Sequence, residues 1–251
     1  MWKEWKTEWI KVKYRGIGWM LLAFLALIVL WTLWVMGDIP KEQAADGFRM
    51  MFFQIPMMDT ILMPAMIAML ASRLCDAEVK SSTMKLLCTM EEKGRLFDMK
   101  VLTGAFYLAL FVVAETVFIF IQSKISSFTS PLDPAQLLYF IAQVYIVSLA
   151  ILIFQVVLSF FFENQILPLA AGIFGSFVGL FSWFFRDGIL KKCFLWGYYS
   201  ELCFIRNVWD PDTRVVTYYD APFDVLSFCL LLGLLAVGYG TGKVLFLRKE
   251  I

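Results

Sequence analysis

The chain has 251 residues, 61% of them hydrophobic and 17% charged, with 22 Lys and Arg against 21 Asp and Glu for a formal charge of +1. Soluble domains carry about 45–50% apolar residues even by a broader count, and the mean hydropathy here is +0.74, so an ordinary water-soluble domain is excluded. Histidine is absent, which removes imidazole-activated nucleophiles, the HExxH zinc site and histidine proton relays.

The charges fall between long apolar runs, with no low-complexity segment and no internal repeat. That pattern reads as one all-α, polytopic membrane domain over 1–251. A cleaved signal peptide is not expected, because the first apolar run exceeds the roughly 7–15 residues of an h-region and no small-residue cleavage site follows it.

Residues 1–16 predict an amphipathic helix lying in the membrane interface. Trp2, Trp5, Trp9 and Val12 fall on one face, and Lys3, Lys6, Lys11, Lys13 and Arg15 lie elsewhere. Indole rings favour headgroup depth, and lysines favour anionic lipid. Six transmembrane helices follow at about 20 apolar residues each: 17–36, 50–72, 101–121, 137–161, 166–185 and 225–247. With the N-terminus inside, the cytoplasmic segments hold fourteen Lys and Arg and the outside loops eight. Both termini are therefore expected in the cytoplasm, with the chain in the plasma membrane. Ala171, Gly175 and Gly179 in the fifth span, and Gly238 with Gly242 in the sixth, make small-residue faces on which helices pack closely.

Between spans two and three lies a polar island, 73–100, with six basic and five acidic residues. Val79, Leu86, Leu87 and Met90 recur at roughly helical spacing, and Ser81, Ser82 and Thr83 suit a helix start. The island reads as a cytoplasmic amphipathic helix able to dock a soluble partner.

Two acids fall at membrane depth, Asp59 in span two between Pro56 and Pro64, and Glu115 in span three. An ionised carboxylate there is costly, and no mid-span Lys or Arg pairs with either. They read either as a polar path, or as a local cap for Asp59 and an inter-helix hydrogen bond for Glu115. The loop 186–224 is expected outside and structured. Its aromatics, among them Phe194, Trp196, Tyr198, Tyr199, Phe204 and Trp209, suit an interfacial belt, with a gate or substrate platform as the alternative. Cys193 and Cys203 share that loop and are candidates for a disulfide, though spacing does not establish one. GYGTGKV at 238–244 misses the phosphate-loop pattern, with Val237 where Gly is needed and Val244 where Ser or Thr is needed. No GxSxG nucleophile elbow occurs either.

Two local patterns resemble the ABC type 2 permease family. Glu8, Lys11 and Arg15 precede the first span as in that family. The island resembles its coupling segment through Glu78, the run Thr83-Met84-Lys85-Leu86-Leu87, Arg95 (or Lys93) and Lys100. Ser82 replaces the family's usual Gly, and Glu91 its Pro. The relaxed motifs look most like the permeases of lantibiotic self-immunity and bacitracin-type resistance exporters. The resemblance implies a transport subunit that is not itself an enzyme and binds no cofactor. ATP and magnesium are then expected in a separate ABC ATPase present in two copies, coupled through Glu78, Thr83, Lys85, Leu86, Leu87, Arg95 and Lys100. It also implies a second permease, identical or homologous, contact with membrane lipid, an amphipathic peptide substrate, and no nucleic acid. The rival is an ion-gradient carrier or channel using Asp59 and Glu115. Such a carrier has no need of the island and often shows inverted repeats.

Overall fold

The computed structural model describes residues 2–37, 41–80, 92–185, 189–212 and 216–249. Helix α1 (Trp2–Lys13) ends in a reversal at Gly16, whose φ of 64° is a left-handed conformation that glycine adopts without strain. The reversal feeds α2 (Ile17–Met36), matching the expected first span. A 3₁₀ turn (Lys41–Asp46) leads into α3 (Gly47–Lys80), which runs unbroken through Pro56 and Pro64. Helix α4 (Lys93–Ile125) follows the undescribed stretch 81–91. Helix α5 (Pro134–Phe161) has proline at its first position, and the Asp133 carboxylate accepts from the Ala135 amide at 2.9 Å. The Asn164 side chain accepts from the Ile166 amide at 3.0 Å and opens α6 (Ile166–Ser182).

Among the described residues, five helices are long and apolar enough to cross a membrane: α2, α3, α4, α5 and the last helix, α9 (Val225–Arg248). Helix α6 has 17 residues and stops at Ser182 instead of reaching 185; at 1.5 Å per residue it is about 25 Å long, short of a hydrocarbon core of about 30 Å.

Helix α3 is the axis of the bundle. Some 67% of its apolar window is buried, against 28% for α2 and 17% for α9. It packs on α2, α4, α5 and α6. Its Met51, Phe52, Met63 and Met66 side chains are fully buried. Small residues set how closely α6 approaches. A Cβ on Gly172 would stand 2.5 Å from the Ala68 Cβ and 2.8 Å from the Pro64 carbonyl, and one on Gly179 would stand 2.6 Å from Thr60 Cγ2. The small-residue face of α6 therefore packs within the subunit.

The connection after α6 departs from an all-α chain and from a surface loop. It forms α7 (Ile189–Cys193), a 3₁₀ turn (Leu195–Gly197), α8 (Tyr198–Glu201) and an antiparallel hairpin, β1 (Ile205–Trp209) with β2 (Val216–Asp220). Ile205 pairs with Asp220 and Trp209 with Val216. The stretch 195–203 turns back into the bundle. Gln143 Nε2 donates to the Tyr199 carbonyl at 2.9 Å, and the Tyr199 hydroxyl meets Ser148 Oγ at 2.7 Å. Ser148 lies fourteen residues past Pro134, about 21 Å along the helix. The Trp196 ring fills the notch at Gly175 and meets Phe154 edge-on at 5.5 Å. Tyr198 and Tyr199 are fully buried and Phe204 nearly so, which corrects the interfacial-belt expectation for these three. Phe194 and Trp209 are exposed, as a belt requires.

Candidate functional site

Two sites stand out. The first lies where α1 crosses the bundle and joins two segments far apart in sequence. Trp9 stacks on Tyr107 of α4 at 5.8 Å with the rings 5° from parallel, and Trp5 meets Phe106 edge-on at 6.0 Å. With Val12 buried as well, the apolar face of α1 is turned onto α4. That contact brings the Glu8 carboxylate onto Lys100 Nζ; the side chains are 3% and 1% exposed. Lys11 adds a looser contact to Glu8 at 3.7 Å. Beyond the helix end, Arg15 donates to the Arg73 carbonyl and Arg73 donates to the Arg15 carbonyl. Arg15 Nε also holds the Lys11 carbonyl at 3.2 Å. The α1 strap is thus fastened to α4 by a buried ion pair and to α3 by two crossed guanidinium contacts.

Of the residues expected to couple to an ATPase, Lys100 is buried under α1, while Arg95 is exposed and paired with Glu92 at 3.1 Å. The Glu78 and Trp2 side chains lie outside the described residues, as do Thr83, Lys85, Leu86, Leu87 and all of 81–91. Sequence reading held Glu8 and Lys100 in two separate motifs. It had no means of pairing residues 92 positions apart.

The second site is the buried acid pair. Asp59 on α3 and Glu115 on α4 are both fully buried, and none of their four oxygens has a hydrogen-bond partner outside the pair. They lie within electrostatic reach of each other and of Tyr199 at the tip of the re-entrant segment. The two carboxyls meet each other as side-chain partners between α3 and α4, and Asp59 accepts from no backbone N–H. One turn past Pro56, the Thr60 hydroxyl donates to the Pro56 carbonyl at 2.7 Å and accepts from Trp183 Nε1 at 3.0 Å. Two ionised carboxylates this close in apolar surroundings repel each other and lack solvation, so the arrangement is stable when protons or a cation offset the charge. Ser148, Thr60 and Trp183 were missed from sequence, and Tyr199 was read only as one of the loop aromatics. Lone Ser and Thr residues within the spans were the faint signal available.

The disulfide is not formed. Cys193 is an exposed free thiol, and Cys203 is a buried one whose sulfur lies 3.2 Å from the Ile205 carbonyl and 3.8 Å from that of Phe52. Burial pushes the Cys203 thiol up to about 11.

At the far end of α3 the chain is tied by Asp220, which takes Arg49 Nη2 at 2.6 Å and Gln136 Nε2 at 3.0 Å. Lys192 bridges Asp224 at 3.0 Å and Glu201 at 3.5 Å. Hydrogen bonds from Ser227, then Lys192, hold the Asp224 carboxyl well below the usual range. Lys192, Glu201 and Asp224 border a cavity of about 1080 Å³ between β2, α8 and the start of α9.

A helical bundle with five membrane-length helices among the described residues defines a polytopic membrane protein. Residues 5–179 match the family model of ABC-2 family transporter proteins, and the chain belongs to that family. No curated protein and no solved structure matches the chain. Membership makes it an ABC permease subunit, a membrane transport component that partners an ABC ATPase and is not itself that ATPase.

Proposed function

We propose that the chain is the membrane half of an ATP-driven exporter that removes an amphipathic antimicrobial peptide, lantibiotic or bacitracin-like, from the membrane as an immunity or resistance device. In this reading α6 completes six spans, both termini face the cytoplasm of a plasma-membrane protein, and two permeases, identical or homologous, sit on two ATPase subunits. Force enters through Glu78, Thr83, Lys85, Leu86, Leu87 and Arg95, with Lys100 relaying it to α1. The observation that carries the reading is the α1 strap: the two basic segments 1–16 and 73–100, flanking different spans, are joined by Glu8 with Lys100 and by Arg15 with Arg73. A load on the island then reaches α1, α3 and α4 together.

The test is co-purification from the native host in mild detergent with mass spectrometry of what accompanies the chain, together with the peptide sensitivity of a deletion strain. An ATPase at about one copy per permease is expected, with sensitivity restored by the gene. A chain that emerges alone under several detergents, with unchanged sensitivity on deletion, overturns the reading.

The buried Asp59–Glu115 pair favours a second reading, a gradient-driven carrier in which the pair binds the coupling cation. Asp59→Asn separates the two. In an exporter it leaves ATP-dependent resistance intact and does not lower thermal stability, since it relieves a like-charge contact. In a carrier it abolishes transport at normal expression.

A further inference from the structure

The stretch GYGTGKV on α9 has a role unrelated to phosphate. The Tyr239 hydroxyl donates to Asp98 Oδ1 at 2.5 Å, and Lys243 Nζ donates to Asp98 Oδ2 at 2.6 Å. The intervening face is cut to fit: a Cβ on Gly242 would stand 2.5 Å from Val157 Cγ2, and one on Gly94 would meet Lys243 Cε at 3.3 Å. Asp98 lies five residues into α4 and two before Lys100. Two residues apart on a helix means nearly opposite directions, at about 100° per residue. The opening turns of α4 therefore hold α9 on one side through Asp98 and α1 on the other through Lys100. The segment 81–91 feeds directly into these turns.

We propose that Asp98 is a positioning residue that carries movement of the island into α9, with Tyr239 and Lys243 as the receiving groups. The proposal rests on the reading that an ATPase docks on the island. Asp98 and Lys243 are each about one-third exposed (31% and 32%), and a single ion pair that water reaches contributes little to stability. What the contact supplies is direction. Both carboxylate oxygens are held by α9 groups one helical turn apart, so α9 cannot slide or rotate against α4 without breaking a bond. The neighbouring contacts, Lys93 Nζ to the Lys249 carbonyl at 3.3 Å and Lys249 Nζ to the Phe160 carbonyl at 2.6 Å, extend the same grip to the end of α5.

The reporter is native. Cys229 on α9 is an exposed free thiol, and its labelling by N-ethylmaleimide is quantified by peptide mass spectrometry in the full chain purified with its ATPase. Trapping the complex with ATP and vanadate is expected to change the Cys229 labelling rate by about fivefold in the wild type, a size typical of coupling between distant sites. Asp98→Asn is expected to lose that change while keeping the ATPase bound, Asp98→Glu to retain it, and Asp98→Lys with Lys243→Asp to regain it. A nucleotide response in Asp98→Asn equal to wild type, or a wild-type complex with none, overturns the proposal and leaves ATPase docking standing. Should Asp98→Asn fail to assemble, the charge-reversed pair decides: a folded complex without the response overturns the proposal. A wild-type chain that never holds an ATPase overturns the docking reading and this proposal with it.

Discussion

Lys100 illustrates what sequence conveys at the scale of a residue. Its place in the island marked it as a charge in water, yet it is 1% exposed and paired with Glu8. A buried ion pair stripped of one partner leaves an uncompensated charge, at about 3–5 kcal/mol. Lys100→Met is therefore expected to lower the detergent melting temperature sharply, and Glu8→Leu added to it to recover most of the loss. Additive losses in the double variant, measured by thermal unfolding, would contradict the pairing. The cysteines allow a second check. Cys193 should react with N-ethylmaleimide without prior reduction, and Cys203 should be nearly inert at pH 7. The thiolate is the nucleophile, so a thiol titrating near 11 gains reactivity about tenfold per pH unit as pH rises toward that value. Neither thiol reacting until a reductant is added would restore the disulfide.

Helix boundaries were legible in part at the scale of elements, because apolar length is a local property; the second and third spans, expected over 50–72 and 101–121, instead run into the polar island as Gly47–Lys80 and Lys93–Ile125. The first span is matched residue for residue, and the fourth and sixth begin or end within three residues of expectation. The small residues of α6 were legible too, but which helix they admit was not. Gly172→Val forces a Cβ onto the Ala68 Cβ and the Pro64 carbonyl, and overpacking of this kind costs about 1–3 kcal/mol. The control is Gly233→Val on α9, where nothing lies within 4 Å. Equal losses of melting temperature in the two variants would refute the close α3–α6 approach. The start of α9 has a pH signature. Its capping carboxylate at Asp224 is depressed on folding, so its contribution is present above the ordinary carboxylate value and fades as pH falls through the lower, folded one. Stability is thus expected to hold between pH 7 and pH 5, while Asp224→Ala weakens the helix start across that range. A wild-type loss by pH 5 that Asp224→Ala abolishes would show the opposite sign.

Taken whole, the molecule leaves a large apolar surface uncovered. Trp19, Leu30 and Trp34 on α2, Phe174, Phe177 and Phe181 on α6, and Leu226 and Val237 on α9 are all exposed. Apolar area on that scale needs lipid or another subunit against it. The basic-residue count gives the expectation that both termini face the cytoplasm. Reporter fusions at residues 1 and 251 are expected to be active only in the cytoplasm, and activity of either outside would invert the topology. Composition, apolar length and charge asymmetry by themselves determined that the chain crosses a membrane, roughly where each helix runs, and which motifs point to the ABC type 2 family. Each is a sum over neighbouring residues, which is why a linear reading recovers it. Only the tertiary structure decided that Glu8 meets Lys100, that Asp59 faces Glu115, that Asp98 is held by α9, and that 195–203 dips into the bundle. Those contacts depend on which face of one helix meets which face of another. Apolar residues surround nearly every helix here, so hydrophobic periodicity carries little information about facing, and the few buried polar groups settle it by finding partners across the fold.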